Sequence, residues 1–422
     1  MMEIHPAGVA DESRRDDVSS ARRSRHEEPN EPQPSASITA PHLPQLDGLR
    51  GGLALWVVVC HVMWAAGYER DELHGALAVL REGAYAVDLF VVLSGFVICL
   101  LLDRRRESYT AFITRRFMRL FPAYVLLFIA AIPVSRIAAE NLALGAHYLT
   151  AAHLHEVSGQ IAAWWRHANL HTLLHLTMLH GIVPRTLLPE APGAFLEPAW
   201  SISLEWQFYL VAPLVYAALT SREPRRRVFA HVAMVGLFVL AALGKLPRVD
   251  FGAALPFHIE YFYIGAASYF VYRRNLQSPL FETPLLGLGS LAVFLVALTQ
   301  HGAVIPLCLW LLFLGLLLEA PRSPWSRTLE RPLVHPAAQF IGRRSYGLYL
   351  CHMPLLECVH RVILQVAPRL GRGAHFASLL GGTLLVSLPA AALIYTYVES
   401  PGIRLGHQLA SRSRLREREL LA

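Results

Sequence analysis

His61 is the residue whose type and placement in this chain most need a chemical explanation. It lies in the apolar run LDGLRGGLALWVVVCHVMW, eleven positions after Arg50, with Asp47 one turn before that arginine. In a helix this step carries the imidazole about 16 Å beyond the guanidinium. Arg50 can reach back toward water along its own aliphatic stem. His61 cannot, so its ring needs a partner inside the apolar run. With an ordinary pKa near neutrality it is suited to exchange a proton with a substrate; the alternative is a buried histidine bonded to a backbone carbonyl.

Other polar groups recur in similar settings. PAWSISLEWQFYLVAP places Glu205 near the start of an apolar run, at a depth like that of His61 in its own run, where a carboxylate would orient and charge-stabilise an imidazole or form a structural ion pair. TRRFMRLFPAY sets Arg116 and Arg119 three apart on one helical face. These arginines either anchor a helix at a membrane surface or grip phosphate bidentately, with Arg50 at similar depth. DLFVVLSGFVICLLL holds Ser94 near its centre, as a packing residue or part of a substrate wall. GRRSYGLYLCHMPLL and YVESP add Ser345, Tyr346, His352 and Glu399, which on their own signal helix packing and interface anchoring.

The elements that must position these residues follow from composition. The 422-residue chain is 54% hydrophobic and 16% charged, whereas soluble globular chains are about 25% charged. Apolar runs of about 20 residues, each long enough to cross a bilayer, occupy about half of it. The fold class expected is therefore all-α, a polytopic transmembrane bundle. About ten spans are expected, near 46–66, 83–102, 116–136, 200–219, 228–243, 254–272, 284–299, 303–319, 345–366 and 376–397. Net charge is +7, and because residues 1–45 hold 8 acids and 5 bases, the remainder carries +10. Basic loops held at the cytoplasmic face explain that excess, so no nucleic-acid role is expected. Cys60, Cys99, Cys308, Cys351 and Cys358 fall in apolar runs without zinc-ligand spacing and read as core residues.

Residues 1–42 are polar and read as a disordered cytoplasmic tail, 43–400 as the membrane domain, and 401–422 as a basic cytoplasmic tail. No removable signal peptide is expected at the N-terminus, and no soluble domain after residue 400. Loops 103–115 and 220–227 are both strongly basic, so an even number of crossings must separate them. The segment 160–183, which carries His171, His175 and His180, is accordingly expected as an interfacial or re-entrant helix on the outer side, its histidines interfacial rather than metal-binding. Both termini are then cytoplasmic. No internal repeat of the kind common in secondary transporters is present, which weighs against a proton-relay transporter built on His61 and Glu205.

Taken together, LDGLRG with His61, DLFVVLSGF, RRFMRLFPAY, WSISLEWQFYL, SYGLYLCHMP and YVESP, in this order, resemble the acyltransferase 3 family. These are integral-membrane enzymes that move acyl groups from acyl-CoA to hydroxyls of bacterial polysaccharides, lipopolysaccharide, Nod factors or macrolides. The resemblance implies His61 and Glu205 as catalytic residues. It implies Arg50, Arg116 and Arg119 as the acyl-CoA site, with Asp47, Ser94, Tyr346 and His352 lining the substrate path and no metal. An inner-membrane location, acetyl-CoA as donor and a carbohydrate-containing acceptor complete the expectation; a macrolide or other secondary metabolite is the alternative acceptor.

Overall fold

The computed structural model describes residues 43–105, 107–242, 253–275, 304–319 and 323–421. Among the described residues all regular structure is helical. In chain order the helices are α1 Pro44–Ala65, α2 Gly75–Arg81, α3 Gly83–Arg104, α4 Tyr109–Leu144, α5 Ala151–Arg166, α6 Ala168–Leu176, α7 Ala199–Leu219, α8 Pro224–Ala242 and α9 Ile259–Asn275. They continue as α10 Val304–Glu319, α11 Pro324–Val334, α12 Pro336–Arg343, α13 Ser345–Val366, α14 Arg372–Ile394 and α15 Ser400–Leu421.

Local chemistry accounts for where several of them begin. Pro44 opens α1, where a missing N–H costs nothing, and Asp47 in the same turn faces the positive end of the helix dipole. Ser108 caps α4 by accepting the Ala111 N–H at 3.4 Å, and Thr150 caps α5 through the His153 N–H at 3.2 Å. α4 then runs 36 residues through Pro122 and Pro133. A five-residue π-helical turn, Tyr395–Glu399, joins α14 to α15 and brings Glu399 inward.

Five helices are long and apolar enough to cross a membrane: α1, α3, α4, α7 and the joined Arg372–Arg412 segment; α10 with α11 adds a sixth if the pair is one broken span. The protein is thus a multi-helix membrane protein, with fewer qualifying spans among the described residues than the ten expected. Helices do stand at four of the remaining expected positions, as α8, α9, α10 and α13. α9 and α10 have only 17 and 16 residues, α8 opens on Arg225, Arg226 and Arg227, and α13 carries Glu357 and Arg361. The expected helix at 284–299 and the expected tail at 1–42 lie outside the described residues.

The expected single helix at 160–183 is instead the end of α5, all of α6 and a 3₁₀ turn at His180–Ile182. Its histidines face the protein interior: His171, His175 and His180 are fully buried. His175 accepts from Tyr124 at 2.8 Å, donates to the Ala191 carbonyl at 3.0 Å and stacks on His180. Burial pushes His171 and His180 down to about 4 and His175 well below the usual range, so all three are neutral at pH 7. Of residues 401–422, expected as a basic cytoplasmic tail, all but the last lie in α15, which packs along α4.

Packing fixes the orientation of the elements around the site. α3 and α9 approach so closely at Gly95 and Gly265 that a Cβ on either would overlap the other helix's backbone. Phe96, Phe262, Phe270 and Trp310 fill the space beside that crossing. α13 packs on α1, α4 and α14. Tyr346 at the start of α13 donates to the Leu120 carbonyl of α4 at 2.9 Å, and Gly342, just before α13, abuts the Asp47 backbone of α1. The N-terminal ends of α1, α4 and α13 therefore share one end of the bundle. α7 runs the opposite way, its Leu210 carbonyl accepting from Tyr109 at the start of α4 and its Tyr216 donating to Asp103 at the end of α3.

Candidate active site

The shared N-terminal end of α1, α4 and α13 is lined with arginine. Arg105, Arg115, Arg116 and Arg119 meet His407 of α15 around a cavity of about 510 Å³, where Glu107 forms an ion pair with Arg115. Arg116 lies over the rings of Phe112 and Tyr209, 5.9 and 5.8 Å from their centroids, which holds its guanidinium in place. Arg119 also lines a second cavity, of about 690 Å³, together with Arg50, Ser94, Glu205, Tyr346 and Tyr349. Val87 and Tyr349 in turn line both this cavity and a third, of about 800 Å³, that contains His61. Shared side chains thus link three cavities in series from the arginines to the imidazole.

At His61 the hydrogen bonds fix the protons. Its Nδ1 lies 2.9 Å from the Val57 carbonyl and 3.3 Å from His352 Nε2, while His352 Nδ1 lies 3.3 Å from the Leu348 carbonyl. Each Nδ1 faces a carbonyl oxygen, so each must carry the proton, an assignment made from the network. His352 Nε2 then accepts from His61 Nδ1–H, and His61 Nε2 is left with a free lone pair. That nitrogen stands 3.8 Å from Glu197 Oε1. Glu197, in the loop just before α7, faces the cavity with 48% of its side chain accessible. A proton arriving on Nε2 meets a carboxylate, the arrangement by which a third group stabilises an imidazolium. Tyr349, which lines both this cavity and the middle one, shares a hydrogen bond of 2.8 Å with Ser201 of the middle cavity.

The placement of the sequence-derived residues is mixed. Arg50, Arg119, Ser94 and Tyr346 line the middle cavity, and Arg116 the arginine cavity. Glu205 was expected beside His61, but the structure sets it with the arginines. It accepts from Tyr209, and Arg50, Arg116 and Arg119 all feel its charge. The reason is arithmetic along α7: six residues past Ala199, Glu205 is about 9 Å inside the helix, whereas Glu197 precedes it. Asp47 pairs with Arg50 at 3.7 Å and lines none of these cavities. His352 is fully buried, and its contact is with the His61 ring, not with cavity space.

Sequence reasoning missed Glu197, Tyr349, Arg105, Arg115 and His407. A signal existed for Glu197: it stands immediately before the helix-opening Pro198, in the same LEPAWSISLEW stretch that supplied Glu205. Among the described residues no group of three or more His, Cys, Asp or Glu side chains is gathered to hold a metal.

Residues 43–392 match the family model described as an acyltransferase domain. The chain is 26% identical over 394 residues to the acyltransferase MdmB of Streptomyces mycarofaciens, covering 86% of this chain and 92% of that protein. It is 23% identical over 390 residues to the O-acetyltransferase OatA of Staphylococcus aureus, covering 85% of this chain but only 57% of that relative. A putative O-acetyltransferase of the same species is similar to the same degree. No solved structure matches. A histidine joined by linked cavities to an arginine cluster, within a stretch of 350 residues that the family model matches, makes this chain a member of the acyltransferase 3 family and an acyltransferase.

Proposed function

We propose that the protein is an O-acyltransferase that takes an acyl group, acetyl in the simplest case, from acyl-CoA and places it on a hydroxyl of a carbohydrate-containing acceptor. The observation that carries this reading is the geometry at His61: Nδ1 faces the Val57 carbonyl and His352, while Nε2 faces Glu197 at the far end of a cavity series that begins at an arginine cluster. Arg105, Arg116, Arg119 and His407 suit the phosphates of CoA, since guanidinium groups bind phosphate bidentately. The middle cavity, largely apolar with Arg50 and Ser94 in its walls, suits the uncharged pantetheine arm.

With the thioester beside His61, Nε2 takes the proton of the acceptor hydroxyl as its oxygen attacks the acyl carbon. The new C–O ester bond forms and the C–S bond breaks. The CoA thiolate leaves and recovers the proton from the imidazolium. Glu197 stabilises that imidazolium, and His352 holds the ring so that Nε2 points to the substrates. The free Nε2 is also the atom that would carry the acyl group in a covalent route; the adjacent carboxylate favours the general-base role, because it stabilises a protonated ring.

The same reading sets the protein in the bacterial inner membrane as a bundle of about ten spans. The arginine end and both termini lie in the cytoplasm, where basic loops accumulate and acyl-CoA is made. The test is purified protein in liposomes with radiolabelled acetyl-CoA: label is expected to move to a hydroxyl acceptor with stoichiometric release of free CoA. Release of neither product in the presence of bound CoA would contradict the reading.

A further inference from the structure

The His61 cavity adjoins a fourth, of about 520 Å³, on the side away from the arginines; Trp64 and Glu197 line both. The positions of its walls along the helices fit that order. On α4 the lining residue Ala131 lies twelve positions beyond Arg119, about 18 Å along the helix, and on α13 Met353 lies seven beyond Tyr346, about 10 Å. Half of the lining residues are aliphatic, supplied by α4, α5 and α13, and Phe195 adds to the apolar wall. Set into it are two indoles, Trp64 and Trp164, with Gln160 and Glu357.

Two of these polar groups are incompletely used. Trp164 Nε1 is buried with no hydrogen-bond partner among the described residues, a costly state until an oxygen accepts from it. Glu357 accepts from Asn141 through Oε2 at 2.8 Å, which leaves Oε1 for a hydroxyl donor. Few polar groups in a mostly apolar cavity is the general character of a small-molecule site.

We infer that this cavity binds the acceptor, and that the acceptor is a hydroxylated sugar ring carried on an apolar group. The inference rests on the proposed reading that His61 is the base and that the donor arrives from the arginine end. Two substrates that meet at one imidazole need separate approaches, and this cavity supplies the second. The flat indole faces match the C–H face of a sugar ring, while Trp164 N–H, Gln160 and Glu357 match its hydroxyls. The aliphatic remainder of the wall would be left against water by a purely polar glycan, and is covered by an apolar carrier.

The experiment measures initial rates of acyl transfer from radiolabelled acetyl-CoA to a butanol extract of the producing cells, titrated against purified protein. CoA affinity is measured separately by calorimetry. Wild type is expected to label a base-labile ester in the butanol-soluble fraction. W164A, and A138W as a variant that fills the cavity, are expected to raise the extract concentration needed for half-maximal rate at least tenfold, with CoA affinity within twofold of wild type. W164F, which keeps an aromatic ring but not the N–H, is expected to fall between. Unchanged acceptor dependence in both W164A and A138W would overturn the site, and label recovered only in water-soluble glycan would overturn the apolar carrier. Loss of CoA binding by the wild type would instead defeat the donor reading on which the inference rests. A variant that has lost CoA affinity is misfolded; W164F, with its smaller change, then decides.

Discussion

Replacing Glu197 by Gln removes one charge and keeps the side-chain shape, and its effect can be sized from the structure. The carboxylate stands 3.8 Å from His61 Nε2. Two unit charges at that separation interact by about 4 kcal/mol at an effective dielectric constant near 20 and about 1 kcal/mol in water. With 48% of the Glu197 side chain accessible, solvent in the cavity screens the pair, and a value between those limits, about 2–3 kcal/mol, applies to the imidazolium that forms as the acceptor is deprotonated. At 1.36 kcal/mol per decade this is a fall in kcat of roughly 30- to 150-fold. KM for acyl-CoA is expected to stay within about twofold, because the arginine cavity is untouched. The assay is steady-state release of CoA at saturating donor and acceptor, with E197D and E205Q run in parallel. E197D is expected to recover part of kcat, and E205Q to act on donor affinity through the arginines it neighbours. A kcat for E197Q within about threefold of wild type, together with a collapse of kcat alone in E205Q, would refute the assignment of Glu197 and restore Glu205 as the partner of His61.

Four further outcomes follow from the same geometry. Replacing Arg116 and Arg119 together by Lys keeps the charge but loses the planar fork, so donor affinity should fall about tenfold or more by calorimetry; a CoA lacking its 3′-phosphate should lose little further affinity in that variant, since the two changes remove one contact. H352A leaves His61 Nδ1 without its second acceptor and the ring less firmly aimed, and kcat should fall about tenfold to a hundredfold with donor affinity unchanged. G95L should drive α3 from α9 and cost about 1–3 kcal/mol or more, read as a lower melting temperature in detergent and a lower yield. The pH dependence of stability concerns His171 and His180. Their folded pKa values are depressed to about 4, so between about 4 and the unfolded value near 6.5 the unfolded chain binds more protons, and stability falls as pH is lowered through that window. H171L should flatten the slope of melting temperature between pH 7 and pH 5, and an unchanged slope would contradict the buried neutral state.

How much was legible in the sequence depended on contrast with the surroundings. His61, Arg50, Arg116 and Arg119 stand out because an ionisable group in an apolar helix has few structural reasons to be there. Glu197 does not, because a carboxylate in a loop beside a proline is ordinary until the fold sets it against an imidazole. Equal depth was expected for Glu205 and His61, but Glu205 lies further along α7 than the level of the imidazole, and the loop residue Glu197 before the helix takes that place. The basic segment after residue 400 read as a tail because its charge resembles a solvated terminus; α15 instead packs on α4 and brings His407 to the arginine cavity. Ser94 illustrates the reverse case: its neighbour Gly95 serves the close approach of α9 while Ser94 itself lines the middle cavity. The histidines of 160–183 looked interfacial by polarity, yet all three are buried inside the protein, where Tyr124 and the Ala191 carbonyl partner both nitrogens of His175 and the Ala199 carbonyl one nitrogen of His180.

The central claim is that His61 performs the transfer to which the arginine cavity delivers the donor, and H61A tests it most directly. Single-turnover transfer from radiolabelled acetyl-CoA is to be followed in wild type and H61A, with CoA affinity measured on the same preparations. The expected result is a loss of transfer of about a hundredfold or more with CoA affinity unchanged, because removal of a general acid-base costs about that much and the arginines lie at the other end of the cavity series. A correctly inserted H61A protein that binds CoA normally and keeps more than about a tenth of wild-type transfer would contradict the account.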